Sequence, residues 1–245
     1  MFASKVAALA MVLAAAPAVA QIKTGEYVNG AGFGVLHITP EKSAGLRFQL
    51  NARGANFHVC ELSGVIRNGE ALLDDSSDNK RPCIVTFKVV KEGIDVNSKF
   101  ERTCSAYCGA RASFEGVYAT PPAGCAPSQV RGNRNRFKAM FDRKAYAEAR
   151  DLLAPVLKNC LNTMSNYDEG WVRNDFALTQ HRLGDNAGCR ETLKPWLELA
   201  QTHDEQIRGD YPPSDADMML RLAGATRANM SVCGAPVKIK PPAKG

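Results

Sequence analysis

The sequence predicts an α+β protein in two parts: a small N-terminal antiparallel β-barrel or sandwich, then C-terminal α-helical hairpin repeats. Three observations carry this. Up to about residue 118, apolar and polar residues alternate in short runs separated by Asn-Gly and Gly turns. A proline-rich stretch at 119–128 then stops strand and helix alike. Beyond it the apolar spacing turns helical and repeats at a fixed offset.

Residues 1–20 read as a secretory signal peptide. Lys5 is the positive start, 6–15 is a small-apolar run, and Ala18-Val19-Ala20 is a small-x-small cleavage site. Cleavage near Ala20 makes Gln21 the new N-terminus and predicts a periplasmic or secreted protein. No later segment has the length of a membrane span. Losing Lys5 takes the formal charge from +6 to +5. That mild, dispersed excess steers toward a weakly anionic partner and argues against nucleic acid.

All eight cysteines lie beyond residue 20. An even count in an exported chain predicts disulfides, although eight cysteines admit roughly a hundred pairings.

The β domain is expected over 21–118. Leu46, Phe48, Leu50 and Ala52 alternate with polar residues, as do Cys83, Val85, Phe87 and Val89. Asn68-Gly69 marks a two-residue hairpin, Asn29-Gly30 repeats the signal, and 89–96 reads as a third reversal. Residues 56–62 read as a strand carrying Cys60. Two reversals separate Cys60 from Cys83, so neighbouring strands can pair them, and Cys104 then pairs most simply with Cys108.

The helical domain is expected over 129–233. Ala149, Arg150, Leu153, Pro155 and Leu157 recur 40 residues later as Cys189, Arg190, Leu193, Pro195 and Leu197. Each set follows a break after an earlier helical stretch, so a helix-turn-helix unit is used twice. Over about 130–200 this resembles a tetratricopeptide-type repeat, with the small residue (Ala149, Cys189) and the apolar one four later (Leu153, Leu193). It departs from that family in its 40-residue period and in the proline of each second helix. A last helix follows Pro212-Pro213, with Ser214 as N-cap and Asp215 and Asp217 in its first turn. The tail, 234–245, is polar and Pro-rich and is expected to be disordered.

In antiparallel helix pairs the start of one lies beside the end of the next. This predicts Cys125–Cys160 and Cys189–Cys233 bonds, with Cys108–Cys125 as the rival across the joint.

The chemistry-bearing candidates are few. A thiol nucleophile near His58 or His181 is disfavoured by the even cysteine count. The four histidines (His37, His58, His181, His203) lack metal-ligand spacing. Asp74, Asp75, Asp78 and Asn79 could bind calcium but lack the Gly and terminal Glu of an EF-hand loop. No carboxylate pair stands out for glycoside cleavage, and Gly30, Gly32 and Gly34 suit a β-turn better than a phosphate loop. The basic run from Arg131 through Arg134 and Arg136 to Lys138 reads as a solvated helix face, with an anionic-partner site as the rival reading. Neither a cofactor nor a metal is expected.

Tyr107, Arg111 and Phe114 are the residue types that anchor protein interfaces, on or beside a disulfide-pinned loop. The competing reading has Tyr107 and Phe114 plugging one end of the barrel. The Cys104-x3-Cys108-Gly109 segment entering the last strand of a small exported β domain resembles the periplasmic lysozyme-inhibitor type of domain over about 25–118. The resemblance implies a compact barrel that blocks a muramidase by inserting surface loops into its cleft. It carries over no functional residue. The function expected is therefore an exported, non-catalytic binding protein with a protein partner in the cell envelope, such as a muramidase. The alternatives are an envelope assembly or scaffold factor acting through its helical repeats and, behind it, a hydrolase.

Overall fold

The computed structural model describes residues 21–42, 45–73, 82–100 and 102–242. The expected signal peptide and the candidate calcium cluster at Asp74–Asn79 lie outside them. The chain is α+β as predicted: an eight-stranded, nearly closed antiparallel barrel followed by helices.

The strands are β1 (Gly25–Asn29), β2 (Gly34–Glu41), β3 (Gly45–Arg53), β4 (Val59–Ile66), β5 (Glu70–Leu73), β6 (Cys83–Val89), β7 (Gly93–Ser98) and β8 (Gly116–Ala119). Each pairs with its sequence neighbours except across one seam, and β8 returns to β1 through Val28 opposite Ala119, so the sheet order is β4-β3-β2-β1-β8-β7-β6-β5. Period-two alternation points Leu36, Ile38, Phe48, Leu50, Val85, Ile94, Val96 and Tyr118 inward, all buried. Phe48 on β3 and Phe87 on β6 meet edge to face at 4.9 Å, so the interior is packed. The Tyr118 hydroxyl donates to the Phe114 carbonyl at 2.8 Å, and burial pushes its pKa well above the ordinary phenol value.

The turns follow their local chemistry. Asn68 (φ 53°) and Gly69 (φ 79°) both take positive φ, and Arg67 and Glu70 exchange backbone bonds of 2.8 and 3.0 Å, so the two-residue hairpin forms where the sequence places it. Val90 and Gly93 close another between β6 and β7. Residues 56–58 depart from the expected strand. Asn56 and Phe57 take φ of 56° and 58° in a 3-10 turn, and β4 begins only at Val59.

The helices are α1 (Pro127–Asp142), α2 (Tyr146–Asn159), α3 (Asn166–Arg182), α4 (Asn186–Leu193), α5 (Leu197–Gln201), α6 (Asp204–Asp210) and α7 (Pro213–Val232). The pairs α1–α2 and α3–α4 form hairpins, and α7 packs on α3, α5 and α6. The repeated positions Ala149, Leu153, Cys189 and Leu193 are all fully buried, so the sequence repeat is a packing repeat. Pro155 lies within α2, whereas Pro195 falls in a 3-10 turn separating α4 from α5. Asn174, buried between α3 and α7, donates to Thr226 Oγ1 at 3.1 Å and accepts from Asn229 at 2.9 Å. Residues 234–242, where disorder is expected, instead lie against the helices. Ala235 and Val237 cover the Cys189–Cys233 cluster, and the Lys240 amide donates to the Gln201 carbonyl at 2.8 Å.

The N-termini of α1, α3 and α7 all meet the β domain. Glu26 Oε1 accepts from the Ser128 amide at 2.9 Å, and Gly32 abuts the backbone of Met164 and Ser165 just ahead of α3. At α7, Asn56 Oδ1 accepts from the Ser214 amide at 3.3 Å, while Asp215 Oδ2 accepts from the Asn56 amide at 2.7 Å. This corrects the assignment of Ser214 as N-cap. The capping position is Pro212, which has no side-chain acceptor, so Asn56 of the other domain supplies one.

All eight cysteines are bonded. Cys125–Cys160 and Cys189–Cys233 pair as the helical layout predicts, with Cα separations of 5.0 and 6.2 Å. The β-domain pairing is corrected: Cys60 bonds Cys108 and Cys83 bonds Cys104, with Cα separations of 4.0 and 4.8 Å. The sheet order is the reason. Cys60 on β4 and Cys83 on β6 stand on opposite sides of the seam, and the loop before β8 crosses between them. Trypsin under non-reducing conditions separates this from a Cys60–Cys83 and Cys104–Cys108 pairing, because no Lys or Arg separates Cys104 from Cys108. Peptides 54–67, 81–88 and 103–111 should travel as one three-chain species in mass spectrometry. A free 103–111 carrying an internal bond would refute the assignment.

Candidate protein-contact surface

The barrel has one seam. β4 and β5 lie side by side but share a backbone bridge only at Arg67–Glu70, next to their hairpin. Beyond it no backbone bridge joins them among the described residues. On β4 the odd-numbered residues turn their peptide groups toward the seam, since the Val59 carbonyl accepts from the Gly109 amide at 2.8 Å at one end and Arg67 bonds Glu70 at the other. Strand alternation therefore aims the peptide groups of Ser63 and Val65 into the gap, and that of Leu72 from β5. None of these three has a strand partner across the seam among the described residues. Open edges of this kind are templates for a further strand.

The loop between β7 and β8 spans the opening. Cys108 ties it to β4, Cys104 ties it to β6, and Ser105–Tyr107 forms a 3-10 turn between the two bonds. Its continuation is held as closely. A Cβ at Gly109 would strike the His58 ring, and one at Gly54 would run into the Arg111 carbonyl. A loop anchored at both ends loses little conformational entropy on binding.

Of the three residues expected to make contact, the structure gathers only one at the seam. Half-buried Tyr107 lines a groove of about 710 Å³ together with Ser63, Gly64, Val65, Leu72 and Ile84. Arg111 is exposed, with its backbone against Gly54, and is not among the groove residues. Phe114 is only 3% exposed and belongs to the barrel core, so it plugs the barrel and has no surface to offer a partner.

Sequence reasoning missed Leu72, the most exposed large apolar residue of the barrel at 58%. The signal was there: two consecutive leucines in a strand cannot both face inward, and Leu73 is the buried one. It also missed an apolar patch at the rim near the helices. Phe33 and Phe57 are 46% and 42% exposed, and the Arg53 guanidinium lies 5.2 Å from the centre of the Phe57 ring. Arg53 is paired with exposed Val59 across β3–β4, and its amide donates to the Phe33 carbonyl at 2.7 Å.

There is no free thiol to act as a nucleophile. Among the described residues no group of three His, Cys, Asp or Glu side chains is placed to hold a metal ion, and no helix is long and apolar enough to cross a membrane. Comparison of the chain with protein families, curated proteins and solved structures finds no match.

Proposed function

We propose that the chain is an exported, non-catalytic binding protein that captures an extended segment of an envelope partner in the seam groove, and that the partner is a lysozyme-like, wall-active enzyme. The observation that carries the reading is the doubly anchored loop beside two unpaired strand edges. Main-chain edges supply generic affinity for an extended backbone, and the apolar floor of Leu72, Ile84 and Tyr107 selects side chains at alternate positions. The four disulfides fit an oxidising compartment. The resemblance of the β domain to lysozyme inhibitors supplies the class of partner.

Wall lysis by a panel of lysozymes, with and without the purified chain, tests this. The expected result is inhibition and co-elution with at least one of them. Tyr107→Ala and Leu72→Asp should each weaken capture by roughly tenfold or more, the scale of an interface anchor. Leu72 is exposed, so its replacement leaves the core intact. Absence of inhibition and of co-elution across the panel would sink the inhibitor reading, and capture unaffected by Leu72→Asp would move the site off the groove.

A second reading, an envelope assembly factor, is favoured by the Phe33–Arg53–Phe57 patch at the edge of the helical domain. It predicts that Phe57→Asp abolishes retention of the cellular partner while Leu72→Asp leaves it unchanged.

A further inference from the structure

We infer that the junction of the two domains contains a binding site for a phosphate-class oxyanion, separate from the seam groove. A cavity of about 200 Å³ is walled by α1 on one side, the start of α3 on the other, and Gly32 of the β domain. Drug-sized ligands need cavities of roughly 300 Å³ or more, whereas this one holds on the order of six waters, the scale of a single tetrahedral anion with its hydration.

The lining charge is lopsided. Arg131, Arg134 and Lys138 line the cavity at helical spacings i, i+3 and i+7, which put them on one stripe of α1. Arg134 is matched by Asp175 of α3 through contacts of 2.9 and 2.8 Å. Burial nevertheless raises the Asp175 carboxyl above its ordinary value, against the pull of Arg134, so that pair is turned inward and desolvated. Asp168, the lining carboxylate, is engaged at 2.7 Å by the Ser165 hydroxyl, which in turn accepts from the Asp168 amide at 3.1 Å. The α3 terminus thus caps itself, and Asp168 with Asp175 sets two carboxylates against the three cations Arg131, Arg134 and Lys138, which leaves one positive charge over. Arg131 and Lys138 have no carboxylate within ion-pair distance among the described residues, although Lys138 acts on Asp175 at longer range.

A positive charge left uncompensated at a small cavity favours an anion there. The Arg131 guanidinium is a planar fork suited to two oxygens of a phosphate, and Lys138 is a point charge for a third. Because the walls come from both domains, the bound anion also ties Gly32 to α1 and α3. The phosphate could be free in solution or belong to a lipid headgroup, and the chemistry at the cavity is the same.

Titration of the full chain with inorganic phosphate at constant ionic strength, followed by calorimetry and by the thermal midpoint, tests the inference. The expected result is saturable one-to-one binding and a midpoint that climbs with phosphate concentration. Arg131→Ala and Lys138→Ala should each weaken binding roughly tenfold, as loss of a charge-assisted hydrogen bond does. Both side chains are exposed, so the variants keep the fold, and circular dichroism checks it. Lys91→Ala, in the turn between β6 and β7 and outside the cavity lining, should bind as the parent does. Binding of glycerol phosphate and of phosphatidylglycerol vesicles, but not of phosphatidylcholine vesicles, assigns a lipid source. Binding of inorganic phosphate without either assigns a free anion. No saturable phosphate binding, or equal binding by the Arg131 and Lys138 variants, overturns the proposal.

Discussion

Replacing Cys60 and Cys108 together by alanine is expected to lower stability by about 3–4 kcal/mol, read as a shift of the urea midpoint at unchanged slope. The bond closes a loop with a sequence separation of 48 and encloses the Cys83–Cys104 bond, whose separation is 21. The loop-closure relation gives about 4 kcal/mol for the outer ring alone, and slightly less because the inner bond already restrains part of it. Against a typical total of about 5–15 kcal/mol this is a large fraction. It is also local, since Cys108 fastens the loop to β4 where the two strands of the seam lie unpaired. The capture proposed for the seam groove should therefore fall in the same variant even at temperatures where the barrel remains folded. A loss below about 1 kcal/mol would mean that the Gly54 and Gly109 contacts hold the loop without the bond, contrary to the loop-closure expectation.

Gly32→Ala is expected to cost about 2–4 kcal/mol and to uncouple the two domains. Gly32 sits at φ +72°, where an alanine costs about 1–2 kcal/mol, and overpacking adds about 1–3 kcal/mol. The added Cβ would meet the Ser165 amide nitrogen at 2.6 Å and the Met164 carbonyl carbon at 2.7 Å, which are backbone atoms with no rotamer to change. Neither core contains Gly32, so the damage should appear as faster proteolysis in 119–127 and as separation of one thermal transition into two. Gly30→Ala is the control, because a Cβ there has nothing within 4 Å. Equal behaviour of the two variants would show that the close approach at Gly32 does not hold the junction.

Most of the architecture was legible in local patterns. Phe48-Gln49-Leu50-Asn51-Ala52 alternates and does so in β3, Asn68-Gly69 demands two positive φ angles and has them, and the 40-residue offset placed Ala149 and Cys189 at equivalent buried positions. The helical disulfides were legible because helix pairs fix which ends meet. The β-domain disulfides were not. Their partners depend on which strands flank the loop before β8, and sheet order is a long-range outcome that cysteine spacing does not encode. Asn56 and Phe57 misled for a related reason. Beside Val59 and Cys60 they look like strand, yet both take positive φ, and Asn56 is bonded there to Ser214 and Asp215, more than 150 residues away. Of the candidate surface, Tyr107 could be named from its residue type and its loop. Phe114 could not be told from a core residue until the last strand was placed.

The nested order of the two barrel disulfides has a consequence for how the chain matures. Cys60 and Cys83 are the first two cysteines to emerge during synthesis, and each has a native partner beyond residue 103. Any bond made between them before the later loop arrives is non-native and must be undone by thiolate attack, on a scale of seconds to hours without a catalyst. The helical half carries no such burden, because Cys125 and Cys160, then Cys189 and Cys233, are joined in the order they appear. Oxidised without an isomerase, the chain partitions into molecules whose helices are correct and whose barrels are scrambled. The supply of correctly folded chain is then set by disulfide shuffling in a single half of the molecule.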